Sequence, residues 1–224
     1  MLNRIFICDC NDEVVLVFDD HVKRLAKVID SAEHRFEIIE ELDSNVELPV
    51  EVTIVAGFPK GDKLEFLAQK GTELGMAKLW AFPADWSVVK WDGKKLAKKA
   101  DKLAKITLGA AEQSKRNVIP EVTLFEKKEA FLAELEQFDR IFIAYEESAK
   151  EGETAVLARE LSQMKAGEKI LFIFGPEGGI SPEEIETFEL KGGLKIGLGP
   201  RIMRAETAPL YALASVSYAL ELMK

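Results

Sequence analysis

The sequence predicts an α/β protein: a parallel sheet covered by helices on both faces, preceded by a small β domain. Three observations carry this expectation. Several continuous apolar runs have strand length and lack the polar alternation of a half-exposed sheet. Segments with apolar residues at helical spacing lie between them, the arrangement that joins parallel strands. The first 45 or so residues differ, with short strand-like segments separated by turns.

In chain order, residues 4–7, 14–18 and 35–39 read as short strands of the N-terminal β domain. The polar stretch 42–49, with Asp, Ser, Asn and Pro, marks the join, so the expected domains are 1–46 and 47–224. Residues 51–56 form the first buried strand. Leu64, Leu67, Ala68, Gly71 and Leu74 then recur at helical spacing, and Gly75 supplies a stop. Residues 78–82 read as a strand, 94–114 as a long helix, 119–125 as a short strand and 128–137 as a helix. Three further strands are expected at 140–145, 169–174 and 194–198, separated by helices near 153–165 and 182–191. An apolar helix closes the chain from Pro209 to about Met223. Its Leu210, Leu213, Ala214, Ser217 and Leu220 suit a core or a dimer contact, and the pattern admits both.

Composition narrows the function classes. Hydrophobic residues make up 47% and charged residues 31% of the 224, an ordinary globular balance. No apolar run approaches the roughly 18 residues of a membrane span. The apolar stretch at the N-terminus is too short for a secretory signal. The two cysteines, Cys8 and Cys10, are spaced for one face of a strand and not for a disulfide framework or the usual zinc pairs. Together these features point to the reducing cytoplasm. With only His21 and His34, a histidine-based triad or metal cluster is not expected, and the chemistry read here requires no metal.

The net charge of -9 argues against a nucleic-acid partner until its distribution is considered. Residues 1–50 hold 5 Lys+Arg against 12 Asp+Glu. Residues 90–105 hold seven lysines against Asp92 and Asp101, a local basic surface of the kind that attracts phosphate. The same lysines also suit a solvated helix face.

Two glycine-rich loops follow two of the expected strands. One runs Gly175-Pro176-Glu177-Gly178-Gly179-Ile180-Ser181-Pro182 and the other Leu198-Gly199-Pro200-Arg201-Ile202-Met203-Arg204-Ala205-Glu206-Thr207. Ligands of open parallel sheets bind beyond the carboxyl ends of the strands. Glycines there allow positive φ and close backbone approach, and prolines stiffen the loop. Ser181 with Pro182 and two glutamates is also an ordinary helix start. Neither loop ends in Gly-Lys-Ser/Thr or reads GxGxxG, so neither is a common nucleotide motif.

Taken with Ala56-Gly57-Phe58-Pro59-Lys60-Gly61-Asp62-Lys63, Gln69-Lys70-Gly71-Thr72-Glu73-Leu74-Gly75 and Ala110-Ala111-Glu112-Gln113-Ser114-Lys115-Arg116, these loops resemble the ribosomal RNA small-subunit methyltransferase E family. The resemblance covers roughly residues 47–224. It implies a SPOUT methyltransferase domain with a C-terminal trefoil knot, preceded by a shortened PUA-like β domain that binds RNA. It implies S-adenosyl-L-methionine as cofactor, and methylation of N3 of a uridine in small-subunit ribosomal RNA, free or in the assembled small subunit. It further implies a homodimer with the cofactor site at or near the subunit interface. A SPOUT protein that binds RNA without turnover, or one that methylates another base, remains compatible with the same residues.

Carried onto this chain, the cofactor site comprises Phe174, Gly175, Pro176, Glu177 and Gly178 of the first loop. From the second come Ile196, Leu198, Gly199, Arg201, Ile202 and Met203. Backbone around 174–175 and 196–198 is expected to receive adenine and ribose. Arg204 is the expected catalytic residue, a cation that stabilises the uridine anion. Arg201 organises the loop or binds phosphate, and Glu177 braces its loop or balances the sulfonium charge. At one position the chain departs from the family pattern: Trp86-Ser87 stands where the family usually carries Arg-Ser.

Overall fold

The computed structural model describes residues 11–145 and 155–223. The strand expected at 4–7, Cys8, Cys10 and the start of the helix expected over 153–165 lie outside the described residues. The chain divides into two compact units: residues 1–47 with 115–118, and residues 48–114 with 119–224.

The first unit holds a three-stranded antiparallel sheet of β1 (Glu13–Val17), β2 (Lys23–Asp30) and β3 (Arg35–Leu42), in that spatial order. The middle strand was not expected from the sequence. Register shifts at Leu25/Ala26 and Val28/Asp30 interrupt it. A bulge breaks the period of two, so its apolar residues fall in adjacent pairs and not at alternate positions. Leu16, Ala26 and Val28 form the buried side. Arg24 ties the turn before β2 to β3, pairing with Asp20 at 2.7 Å and Glu41 at 2.8 Å. In the same unit Glu47 accepts hydrogen bonds from the amides of Asn117 at 2.8 Å and Val118 at 3.1 Å and pairs with Arg116.

The second unit is built on a six-stranded sheet. Its strands are β4 (Glu51–Gly57), β5 (Lys78–Phe82), β6 (Glu121–Leu124), β7 (Arg140–Ala144), β8 (Lys169–Phe174) and β9 (Gly193–Ile196). All pair in parallel, in the order β6-β5-β4-β8-β7-β9. The helices are α1 (Lys63–Glu73), α2 (Gly93–Gln113), α3 (Lys128–Ala133), α4 (Ala155–Ser162), α5 (Pro182–Leu190) and α6 (Ala208–Ser217). Alternate residues of single strands enter two separate cores. Ile170, Phe172 and Phe174 of β8 pack on the side of α1, α2 and α6, whereas Leu171 and Ile173 pack on the side of α3 and α5. Burial on both faces is why these strands read as unbroken apolar runs. On the second face an aromatic cluster closes the layer: Phe82 stacks on Phe131 at 4.5 Å, and Trp80 meets Phe125 and Phe138 edge-on at 5.2 and 5.4 Å.

Local chemistry sets the helix ends. Asp92 caps α2 by accepting from the Lys95 amide at 2.9 Å. Ser181 and Glu184 form a capping box at the start of α5, with Pro182 in the first turn. The segment expected as one helix over 128–137 instead breaks into α3 and a 3-10 turn, Leu135–Gln137. The last helix ends in a π-helical turn, Tyr218–Leu222. Strand β9 stops at Ile196, so Gly197 and Leu198, expected at the end of a strand, belong to the following loop. Among the described residues no helix is long and apolar enough to cross a membrane.

Phe172 is wholly buried, with Phe142 at 4.9 Å and Phe174 at 6.4 Å. Phe172→Ala is expected to lower stability by about 3–5 kcal/mol, read from denaturant unfolding. A loss below about 1 kcal/mol would mean that the sheet collapses around the vacated volume.

Candidate functional site

A cleft of about 1160 Å³ opens beyond the carboxyl ends of the strands of the second unit. Five connections supply its walls. Lys63 comes from the segment after β4 and Trp86 from that after β5; Ala144 and Tyr145 come from the end of β7, and the two glycine-rich loops follow β8 and β9. All twelve residues expected at the site line this cleft: Phe174, Gly175, Pro176, Glu177 and Gly178 on one side, and Ile196, Leu198, Gly199, Arg201, Ile202, Met203 and Arg204 on the other.

The loop after β8 depends on its glycines. A Cβ on Gly175 would fall 2.4 Å from the carbonyl carbon of Gly179, so the loop folds back on itself only if residue 175 has no side chain. Gly179 has a φ of +86, and its amide donates to the Pro176 carbonyl at 2.9 Å. Gly178 lies beneath Trp86, where an added Cβ would approach the tryptophan Cβ to 3.1 Å. Across the cleft, an added Cβ on Gly199 would meet no atom within 4 Å, so its space is open, and its φ of +92 disfavours other residues.

Lys63 joins the two loops. Its Nζ lies 2.9 Å from Glu177 Oε1 and 3.3 Å from Glu206 Oε2. Glu177 also accepts from the Lys60 amide at 3.0 Å. The hydrogen bond to Glu177 holds the Lys63 ammonium above its usual range, with Glu206 adding to the effect against partial burial. Burial alone pushes the Glu177 carboxyl up, but the hydrogen bond from Lys63 and the backbone amides outweigh it and bring it below its usual value. Glu206 Oε2 is shielded from solvent, with the Lys63 ammonium as its charge partner.

A second network holds the loop after β5. Ser181 Oγ donates to Asp85 Oδ2 at 2.7 Å, and the Asp85 amide donates to Glu184 Oε1 at 3.0 Å. Lys128 pairs with Asp85 and lies 3.1 Å from Glu184. Hydrogen bonds from Lys128 and Ser181 bring the Asp85 carboxyl below the usual range. Burial disfavours the Lys128 ammonium, but Asp85 and Glu184 outweigh that and raise it.

At the mouth of the cleft, Arg201, Ile202 and Arg204 are exposed. Neither arginine side chain is paired with a described residue. None of the lysines between Lys90 and Lys105 lines the cleft. Two of them are already engaged, Lys99 and Lys102 with Glu65 at 3.0 and 3.1 Å, while Lys94, Lys95, Lys98 and Lys105 stay exposed.

Sequence reasoning overlooked the Lys63 bridge, the Asp85–Lys128–Glu184 network and Trp86 as a wall. The position of Lys63 and Trp86 just after strands was the available signal, since every connection on that side of the sheet faces the ligand edge.

Residues 46–217 match the family model described as RNA methyltransferase domain, which sets the class of this fold and cleft. A ribosomal RNA small subunit methyltransferase E from Bacillus subtilis (strain 168) is 46% identical over 187 residues, spanning 84% of this chain and 73% of the relative. The chain belongs to the ribosomal RNA small subunit methyltransferase E family. A solved structure described as a hypothetical protein is similar at a TM-score of 0.87 and 38% identity, covering 97% of this chain and 86% of that one. A ribosomal RNA small subunit methyltransferase E from Neisseria gonorrhoeae, solved bound to S-adenosyl methionine, gives a TM-score of 0.77 at 26% identity, covering 93% of this chain and 84% of that one.

The Lys63 bridge carries a pH signature. The folded value of Glu177 lies below its usual 4.5, so its contribution to stability is complete above 4.5 and is lost as pH falls through the lowered folded value. Lys63→Met is expected to melt below wild type near pH 7, with the gap closing as pH falls below 4.5 and through the lowered folded value. A gap that stays constant on acidification would show that the Glu177 ion pair is not its source.

Proposed function

We propose that this protein transfers a methyl group from S-adenosyl-L-methionine to N3 of a uridine in small-subunit ribosomal RNA, acting in the cytoplasm on free or assembled small subunits. The single observation that carries this reading is the convergence of both glycine-rich loops on one cleft, buried at one end and rimmed by unpaired arginines at the other.

The residues present fit the cofactor. The inner end of the cleft is apolar, with Phe174, Ile180 and Ile196 buried, and suits an adenine ring. Gly175 and Gly199 bring bare backbone to the same space. Glu206 lines the same cleft and offers a carboxylate acceptor to a hydroxyl or ammonium donor. When bound, S-adenosyl-L-methionine supplies an electrophilic methyl group and leaves as a neutral thioether. Glu177 and Glu206, bridged by Lys63, keep negative charge beside the positively charged ligand. The Arg204 guanidinium, exposed at the rim, stabilises the uridine as N3 gives up its proton to solvent. Arg201, also exposed, engages phosphate. The lysines of α2 that remain unpaired extend the phosphate-binding surface.

In this reading the C-terminal segment forms the trefoil knot of the SPOUT methyltransferases; the support is the packing of α6 against β8 and α1 next to the cleft. The N-terminal antiparallel sheet is a small PUA-like domain that contributes RNA contacts. The protein acts as a homodimer through the outer face of α6 and the π-helical turn after it, where Tyr211, Ala214, Tyr218 and Leu222 form an exposed stripe. Sedimentation should give twice the chain mass, and Tyr211→Glu with Tyr218→Glu should return it to one; an unchanged mass in the double variant would place the interface elsewhere.

The deciding experiment incubates the protein with labelled S-adenosyl-L-methionine and small ribosomal subunits and maps the modified nucleoside. Label on N3 of a uridine is expected. Cofactor binding without label would favour an RNA-binding protein without turnover, and label on another base would move the substrate. Arg204→Ala should lower turnover at saturating subunits by about a hundredfold, the scale for removing one charge-stabilising donor, with much smaller loss of RNA affinity. Normal turnover in that variant would exclude the catalytic role.

A further inference from the structure

We propose that the Trp86 indole is the platform on which the base to be methylated stacks, a substrate-binding role that rests on the RNA-methylation reading above. The case begins with cost. Trp86 is 47% exposed on a cleft wall, whereas Trp80 is 5% exposed within the aromatic cluster. Trp91, the third tryptophan, is partly buried against Phe58 at 4.3 Å. An indole left half in water beside a ligand cleft forgoes burial that the other two obtain.

The ring is supported from beneath. Its six-membered edge runs along Gly179, where an added Cβ would lie 3.7 Å from Cζ3, and its Cβ sits over Gly178. Two glycines therefore let the indole rest against bare backbone along that edge.

The segment that carries it is fixed on both flanks. Asp85 is held through its amide by Glu184 and through its carboxylate by Ser181 and Lys128. The Ser87 amide donates to the Ala84 carbonyl at 2.9 Å and closes the turn around Trp86. Glu184 is 2% exposed; one carboxylate oxygen closes the capping box of α5 and the other holds the Asp85 amide, so the turn that carries the indole is anchored to the start of that helix. A platform immobilised before binding loses little freedom on contact.

The surroundings identify the ligand class. The buried end of the cleft is taken by the cofactor in the reading above, whereas Trp86 shares the cleft with the exposed, unpaired Arg201 and Arg204. An exposed aromatic ring and unpaired cations in one cleft are the composition that receives an unstacked base and its phosphates. Stacking tolerates any base, so Trp86 positions the base while groups at its edge select it.

Two readouts test this, both on the full chain. In the first, a short oligouridylate is titrated into protein holding S-adenosylhomocysteine, and the tryptophan emission of wild type is compared with that of Trp86→Phe. Quenching in wild type and its loss in the variant are expected; unquenched emission at saturating oligonucleotide overturns the proposal. In the second, methylation of unmodified small subunits is followed together with cofactor affinity by calorimetry. Trp86→Ala should raise KM for subunits about tenfold or more, Trp86→Phe should restore it to within about threefold, and cofactor affinity should stay unchanged in both. Loss of cofactor affinity in Trp86→Ala with KM unmoved would show that the indole only props the glycine loop, and would overturn the proposal. If wild type labels no subunit yet its Trp86 emission is quenched, the methylation reading fails while the stacking site stands.

Discussion

Strand β8 is hydrogen-bonded to a parallel neighbour on each side, β4 from Glu51 to Ala56 and β7 from Arg140 to Ile143. Its five residues Ile170–Phe174 are buried, divided between the two cores. Nothing in that strand can shift without disturbing both layers, so the point at which the chain leaves the sheet, Gly175, is fixed to the accuracy of a packed interior. The remaining walls are referred to this point. Pro176 sits where a Cβ on Gly57 at the end of β4 would strike it, and Trp86 rests on Gly178 and Gly179. The Lys63–Glu177 ion pair and the hydrogen bond from the Asp85 amide to Glu184 then attach the loop to the connections after β4 and β5.

The two acidic networks divide the labour around the loop. Lys63 spans Glu177 and Glu206 and so ties the loop after β8 to the loop after β9. Lys128, Asp85, Ser181 and Glu184 tie it to the loop after β5. Each places a lysine between two carboxylates, but only the first lines the cleft, where Glu177 and Glu206 outnumber Lys63 and leave negative charge on a wall whose rim carries the exposed Arg201 and Arg204. A ligand that is positive at one end and meets a polyanion at the other is matched by that polarity.

The sheet was legible because its strands are apolar on both faces and short, and the glycine loops because Gly, Pro and charged residues directly after strands have few other uses. The middle strand β2 was not legible, since its bulges destroy the alternation by which a half-exposed strand is recognised. The break after Ala133 was likewise hidden in a continuous helical pattern. Trp86 stood out only as an unexpected residue; its support by two glycines from the far part of the chain is a tertiary fact. The same holds for Lys63 with Glu177 and for Lys128 with Asp85, pairs brought together by strand order and by no local pattern. The seven lysines near α2 were visible as a run, but their division into paired and free members depends on Glu65 of a neighbouring helix.

The insertion of β8 between β4 and β7 has a consequence for how the chain reaches its native state. As the polypeptide emerges from the ribosome, β4 and β7 are complete well before the strand that separates them has been made. Until then each presents an unpaired inner edge of strongly apolar residues, the surface most prone to mispairing. Direct association of β4 with β7 would be a kinetic trap that must reopen to admit β8. Contacts of long sequence separation dominate this sheet, so its assembly is slow by topology alone, and the closing event belongs to the last quarter of the chain, the part that also builds the cleft.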